Sequence, residues 1–221
     1  MRIDKRTVLV YLASTFLIAL PFIYALMIYP DLADTIPVHF DINGKPDGWD
    51  NKSSIYLLPG IMGVVSLFNI LLMTNLNRID PKRHAPENDG VFSLLALLVT
   101  GFLSFLSFIF EYQTLHPELP LQNILFSLIG LFFSGIGLFM PYLKQNYFAG
   151  FKFPWTLESN DNWEKTHKLG GRIWVIGGLI IALTSSVLSG KISFIILITI
   201  VSLLVILPAL ISYRIFKREG K

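Results

Sequence analysis

Six apolar runs, each long enough to cross a bilayer, constrain this chain's fold more than any other feature. A helix rising 1.5 Å per residue needs about 20 apolar residues to span the hydrocarbon layer. The runs are Thr7 to about Tyr29, Ile55–Thr74, Val91–Phe110, Leu121 to about Leu143, Leu169–Ser189 and Ile192–Tyr213. Glu111 ends the third. The first follows the basic leader Met1–Arg6 and ends in Met27-Ile28-Tyr29-Pro30. It is too long for the core of a cleaved signal, about 7–15 residues, and reads as a retained anchor. Inside a bilayer each backbone polar group must be satisfied within its own segment, so runs of this length form helices. Composition agrees: 53% of residues are hydrophobic and only 15% charged, against about a quarter charged in a soluble domain. The pattern predicts an all-α membrane protein, a six-transmembrane-helix bundle with a small hairpin-like external loop. With no cysteine in the chain, disulfides, thiolate metal sites and cysteine nucleophiles are excluded.

The basic residues set the orientation. With the N-terminus in the cytoplasm, fifteen of the 18 Lys and Arg residues fall on cytoplasmic segments and three (Lys45, Lys52 and Lys191) on external ones. Such a split follows the positive-inside rule and predicts that both termini are cytoplasmic. It also accounts for a pI near 9.1 as a topology signal next to anionic headgroups, so no nucleic-acid partner is invoked.

The runs divide the chain into an N-terminal two-helix unit (1–80) with an external motif loop at about 30–54, a pair of helices (81–143), and a C-terminal unit (144–221). Arg78–Gly90, Glu111–Pro120 and the tight turn Gly190-Lys191 read as simple connections. The external loop is unlike them. Asn43-Gly44 suits a positive-φ turn, Val38–Ile42 has strand-like alternation, and Pro46-Asp47-Gly48 is a second turn signal. Five aspartates against two lysines leave this loop net acidic by three. His39, Phe40, Asp41, Asn43, Asp47 and Trp49 are its candidate ligand-binding residues, combining aromatic contact with polarity. The alternative is that Trp49 anchors the membrane interface while His39 caps a turn. One His among scattered Asp residues lacks the dense pattern of a metal site.

The cytoplasmic loop reads Pro154-Trp155-Thr156-Leu157-Glu158-Ser159, then Asn162-Trp163-Glu164-Lys165-Thr166-His167-Lys168-Leu169-Gly170-Gly171-Arg172. Asp161 and Glu164 have capping-box spacing and predict a helix start near Asn162, with Ser159 or Asn160 as alternative caps. Helical spacing puts Trp163, His167, Gly170 and Trp174 on one stripe. The Glu164-x-x-His167 pair lacks the second pair and further glutamates of a di-iron bundle, and no nucleophile elbow or phosphate loop is present. No catalytic residue, metal or cofactor is expected. Either this loop is a structural elbow at the headgroups, or Pro154, Trp155, Thr156, Glu158, Asn162, Trp163, Glu164, His167 and Arg172 meet a cytoplasmic partner.

An ionisable group inside a span is a functional-site hypothesis by default. The spans hold almost none: Asn69, Ser66, Thr100, Ser104 and Ser107 are polar but neutral, while Glu111 and Arg172 lie at boundaries. That pattern argues against a proton-coupled pump. Ser127, Gly130, Ser134 and Gly137, with Gly178, Ala182, Ser186 and Gly190, form two stripes of small residues that predict close helix packing within the chain.

The cytoplasmic motif resembles the signature loop of the SdpI family, bacterial membrane immunity proteins against a peptide toxin derived from SdpC. Ile36-Pro37-Val38-His39-Phe40-Asp41, with Gly44-x-Pro46-Asp47 and Trp49, is similar to the short domain of unknown function that precedes that signature in many members. The resemblance implies a multi-pass protein of the bacterial cytoplasmic membrane that confers toxin resistance. It further implies a signal receptor that holds a cytoplasmic transcriptional autorepressor at the membrane. The expected partners are the peptide toxin, a repressor and the lipid bilayer. A six-helix transporter or channel for a small solute is the alternative, and an enzyme the reading with least support.

Overall fold

A computed structural model describes residues 5–41, 44–79 and 85–218. Asn43, among the external candidates, lies outside the described residues. Among the described residues eight helices and one hairpin follow in the order α1 (Lys5–Ile28), β1 (Thr35–Phe40), β2 (Pro46–Asn51), α2 (Leu57–Thr74), α3 (Leu76–Ile79), α4 (Asn88–Leu115), α5 (Leu121–Phe139), α6 (Pro154–Glu158), α7 (Asn160–Val187) and α8 (Gly190–Arg218). Single 3₁₀ turns at Tyr29–Asp31, Lys52–Tyr56 and Met140–Tyr142 extend or introduce helices. Among the described residues six helices are long and apolar enough to cross a membrane. Leu9, Leu12, Phe16, Phe68, Leu183 and Val187 are exposed, as lipid-facing side chains of spanning helices must be. The chain is a multi-pass membrane protein.

The helices pack in two groups of three. In the first, α1, α2 and α4 meet through the Ser104 hydroxyl donating to the Leu17 carbonyl at 2.6 Å, the Tyr24–Phe108 ring pair and a Tyr11–Thr74 hydroxyl bond. In the second, α7 lies between α5 and α8. Small residues let α5 and α7 approach until backbones touch: a Cβ on Gly178 would lie 2.4 Å from the Gly130 carbonyl oxygen. Ser127 and Ser134 then donate across the interface to the carbonyls of Ala182 and Val175, each at 3.0 Å. This is dispersion packing with hydrogen-bond support, the mode available where lipid removes the hydrophobic drive. The predicted stripes therefore work within the chain, although Ser186 is exposed. Stacked Phe102 and Phe132, 4.2 Å between centroids, join the two groups.

Four sequence expectations change. Helix α4 runs a full turn past Phe110, which places Glu111 inside it. Pro46-Asp47-Gly48 is not a turn but the start of β2, because Gly48 faces His39 at an irregular register where a Cβ would lie 2.8 Å from the His39 Cβ. The hairpin turn uses Gly44 at φ +75°, with the Asp41 carboxylate accepting from the Lys45 N–H at 2.8 Å. Helix α7 starts at Asn160, capped by Ser159, whose hydroxyl oxygen accepts from the Asn162 N–H. Finally, Gly190-Lys191 belongs to the first turn of α8, and the connection is Leu188-Ser189.

Candidate functional site

The two motif loops lie at opposite ends of the bundle and differ in kind. At the signature-loop end the chain leaves α5 and turns under α7. Gly150 holds φ +111° there, a conformation that favours glycine. A Cβ at Gly150 would sit 2.2 Å from His167 Nε2, so this position admits only hydrogen. The next residue's N–H, that of Phe151, donates to His167 Nε2 at 2.9 Å. Nε2 must therefore accept, which puts the ring proton on Nδ1, donated to the Trp163 carbonyl at 2.8 Å. The His167 ring stacks on the Trp163 indole at 4.0 Å, and the indole N–H donates to the Leu143 carbonyl at 2.7 Å.

Around this core the polar atoms are paired. The Thr156 hydroxyl donates to the Phe151 carbonyl at 2.6 Å and accepts the Phe153 N–H at 3.0 Å. Asn162 donates to the Ser212 carbonyl and accepts from Thr166. The Trp155 N–H donates to the Ser212 hydroxyl at 2.9 Å, tying α6 to α8. Asn88 at the start of α4 bonds both the N–H and the carbonyl of Lys144. The loop is a clasp that fastens α4, α5, α7 and α8.

The clasp redistributes the sequence candidates. Thr156, Asn162, Trp163 and His167 are buried, Trp155 is half-buried, and Pro154, Glu158, Glu164 and Arg172 are exposed. Trp163 does not lie at the headgroups, because its indole N–H is satisfied inside the protein. Glu164 is exposed and pairs with Lys144 at 3.0 Å, whereas His167 is buried.

At the hairpin end the structure opens. His39 pairs with Asp47 across the strands, and both are exposed, as is Trp49. Phe40 turns down onto Phe110 of α4, 6.0 Å between centroids. Asp50 accepts from the Ser54 hydroxyl and the Asn51 N–H, which hold its carboxyl below the usual range. Two adjoining cavities lie between the hairpin and the helix ends. One, about 430 Å³, is walled by His39, Phe40, Asp41 and Gly44 of the hairpin and by Leu121 and Phe194 of the bundle. The other, about 250 Å³, runs between Ile36, Leu58, Ile61 and Glu111. Val38 and Phe110 border both. His39, Phe40 and Asp41 thus converge on one cleft, while Asp47 and Trp49 stand on the outer surface.

Glu111 is the residue missed by reading charge as the end of a span. It is 1% exposed, and neither carboxylate oxygen has a hydrogen-bond partner. A signal was available: Thr100, Ser104, Ser107 and Glu111 fall at helical spacing on one face, and all four are buried.

Residues 142–212, the clasp with α7 and most of α8, match the SdpI/YfhL protein family. Residues 16–63, carrying the hairpin, match a domain of unknown function, DUF1648. The immunity protein SdpI of Bacillus subtilis (strain 168) is 26% identical over 213 residues, covering 93% of this chain and 95% of that protein. An uncharacterized protein of Archaeoglobus fulgidus is 29% identical over 151 residues, 57% of this chain and 80% of its own. No solved structure matches the chain. A DUF1648 segment and a segment of the SdpI/YfhL protein family thus follow one another on a six-helix bundle, in a chain similar along nearly its whole length to an immunity protein.

Proposed function

We propose that this protein is an immunity protein of the bacterial cytoplasmic membrane, giving resistance to a peptide toxin of the SdpC type. The toxin engages the cleft beneath the hairpin. One observation carries the reading: His39, Phe40 and Asp41, three of the candidate residues of the hairpin motif, wall a concave, mostly apolar cleft, the form that ligand sites take. The likeness to a protein named for immunity, along nearly the full length of both chains, supplies the class. The fifteen-to-three division of basic residues supports cytoplasmic termini and an external hairpin, so a toxin arriving from outside meets the cleft first. Expression in toxin-sensitive cells tests this: the wild type restores survival, and Phe110→Trp, which fills the wall shared by both cavities, abolishes it at equal membrane abundance. Survival unchanged by Phe110→Trp counts against the cleft, and no protection by the wild type removes the immunity reading.

A signalling role fits beside it, because the signature segment leaves Pro154, Glu158, Glu164 and Arg172 exposed. A cytoplasmic repressor captured there is released by reversing Glu158 and Arg172 together, with protection retained. Capture unaffected by that double reversal overturns the role of this surface.

A further inference from the structure

The smaller hairpin-end cavity is lined by an ionisable group with no hydrogen-bond partner. Its walls include Ile36, Leu58, Ile61 and Phe110, and no Lys, Arg or His lines it. The two hydroxyls present are already committed as donors, Ser54 to Asp50 at 2.7 Å and Thr114 to the Glu111 backbone carbonyl at 2.6 Å. Both Glu111 carboxylate oxygens are therefore left without a donor, in a side chain 1% exposed. Buried polar groups are nearly always satisfied, and an exception within a membrane span marks a site.

The geometry points to a binding site for the ammonium or guanidinium group of a basic side chain, carried on an apolar peptide. Such a group brings three to five N–H donors and no acceptor, complementing a carboxylate that lacks donors. A volume of about 250 Å³ falls below the range of whole small-molecule pockets, about 300–1,000 Å³, and suits one side chain whose methylene stem lies along apolar walls. The adjoining cavity of about 430 Å³ takes a neighbouring apolar residue of the same peptide. The external loop, net acidic by three, attracts cations toward this entrance. The peptide as occupant rests on the immunity reading; the preference of the pocket for a cation does not.

The test uses the full chain in phosphatidylcholine nanodiscs, with empty nanodiscs as reference. The probes are acetyl-Leu-Lys-Leu-amide and the same tripeptide with norleucine replacing lysine, which removes the charge and keeps the stem. The expected result is at least tenfold tighter binding of the lysine peptide, a preference that Glu111→Gln eliminates. Absence of that preference in the wild type overturns the site whether or not the variant folds, as does a preference that survives in Glu111→Gln. Hexylammonium binding as tightly as the tripeptide overturns the peptide as occupant. Loss of tripeptide binding when phosphatidylethanolamine replaces phosphatidylcholine assigns the site to a lipid headgroup and overturns it too. A chain that protects cells yet shows no lysine preference loses only this site; one that shows the preference but protects no cell loses only the immunity reading.

Discussion

Replacing His167 by Phe isolates what the clasp contributes. The phenyl ring keeps the stacking position on Trp163, 4.0 Å away in the wild type, and removes the acceptor 2.9 Å from the Phe151 N–H. Phe151 is 7% exposed, so no water replaces that acceptor. Orphaning a buried donor costs about 1–3 kcal/mol, and a central ~2 kcal/mol lowers the folded-to-unfolded ratio about 30-fold. Losing the Nδ1 bond to the Trp163 carbonyl adds little, since that oxygen also accepts within helix α7. Glu164→Ala is the control, because its ion pair with Lys144 has side chains 63% and 50% exposed and contributes about 0–1 kcal/mol. Equilibrium unfolding in mixed micelles, followed by fluorescence of the four tryptophans, measures both. His167→Phe costing no more than Glu164→Ala would refute the assignment of His167 as the acceptor that holds the loop.

Two further outcomes follow from local geometry. Gly178→Ala places a methyl 2.4 Å from the Gly130 carbonyl oxygen and costs about 1–3 kcal/mol of overpacking, whereas Gly60→Ala, with nothing within 4 Å, is neutral or stabilising by up to about 1 kcal/mol; the same unfolding titration compares them. The Asp50 carboxyl is held low first by the Ser54 hydroxyl and then by the Asn51 N–H, so its stabilisation is complete above the ordinary carboxylate range and is lost as pH falls through its depressed value. Ser54→Ala moves that titration upward, read by carbon NMR of the Asp50 carboxyl.

Much of this fold was legible in the sequence because bilayer crossing is a constraint on length and composition, and both can be counted directly. Direction is harder to count. A lone glutamate after twenty apolar residues reads as the end of a span, yet the helix continues to Leu115 and turns Glu111 inward with Ser104 and Ser107. Trp163 and His167 were legible as one stripe, but whether that stripe faces headgroups or a loop depends on Gly150 and Phe151, which reach it only through the path of the folded chain. The β2 start at Pro46 was hidden for a similar reason: Gly48 is required by its cross-strand neighbour His39 rather than by a turn.

The two ends of the bundle differ in how fully their polar groups are satisfied, and this difference separates scaffold from site. Among the described residues, the unpartnered buried side-chain atoms fall on α1, α2, α4 and α7, and none lies between 142 and 172. A clasp with every buried donor matched rigidifies its segment, whereas an isolated two-stranded hairpin is marginally stable alone. Hydrogen exchange on the full chain in nanodiscs should therefore separate them. The amides of Lys144, Phe151 and Phe153, held by side-chain acceptors at 2.7, 2.9 and 3.0 Å, exchange at rates near those of the spanning helices. The β1 and β2 amides exchange faster, and slow when the cleft is filled, because a ligand bridging hairpin and helix ends removes the openings that exchange requires. Hairpin amides as slow as that of Phe151 in the empty protein would mean that this end is already closed, and would move the search for the ligand away from it.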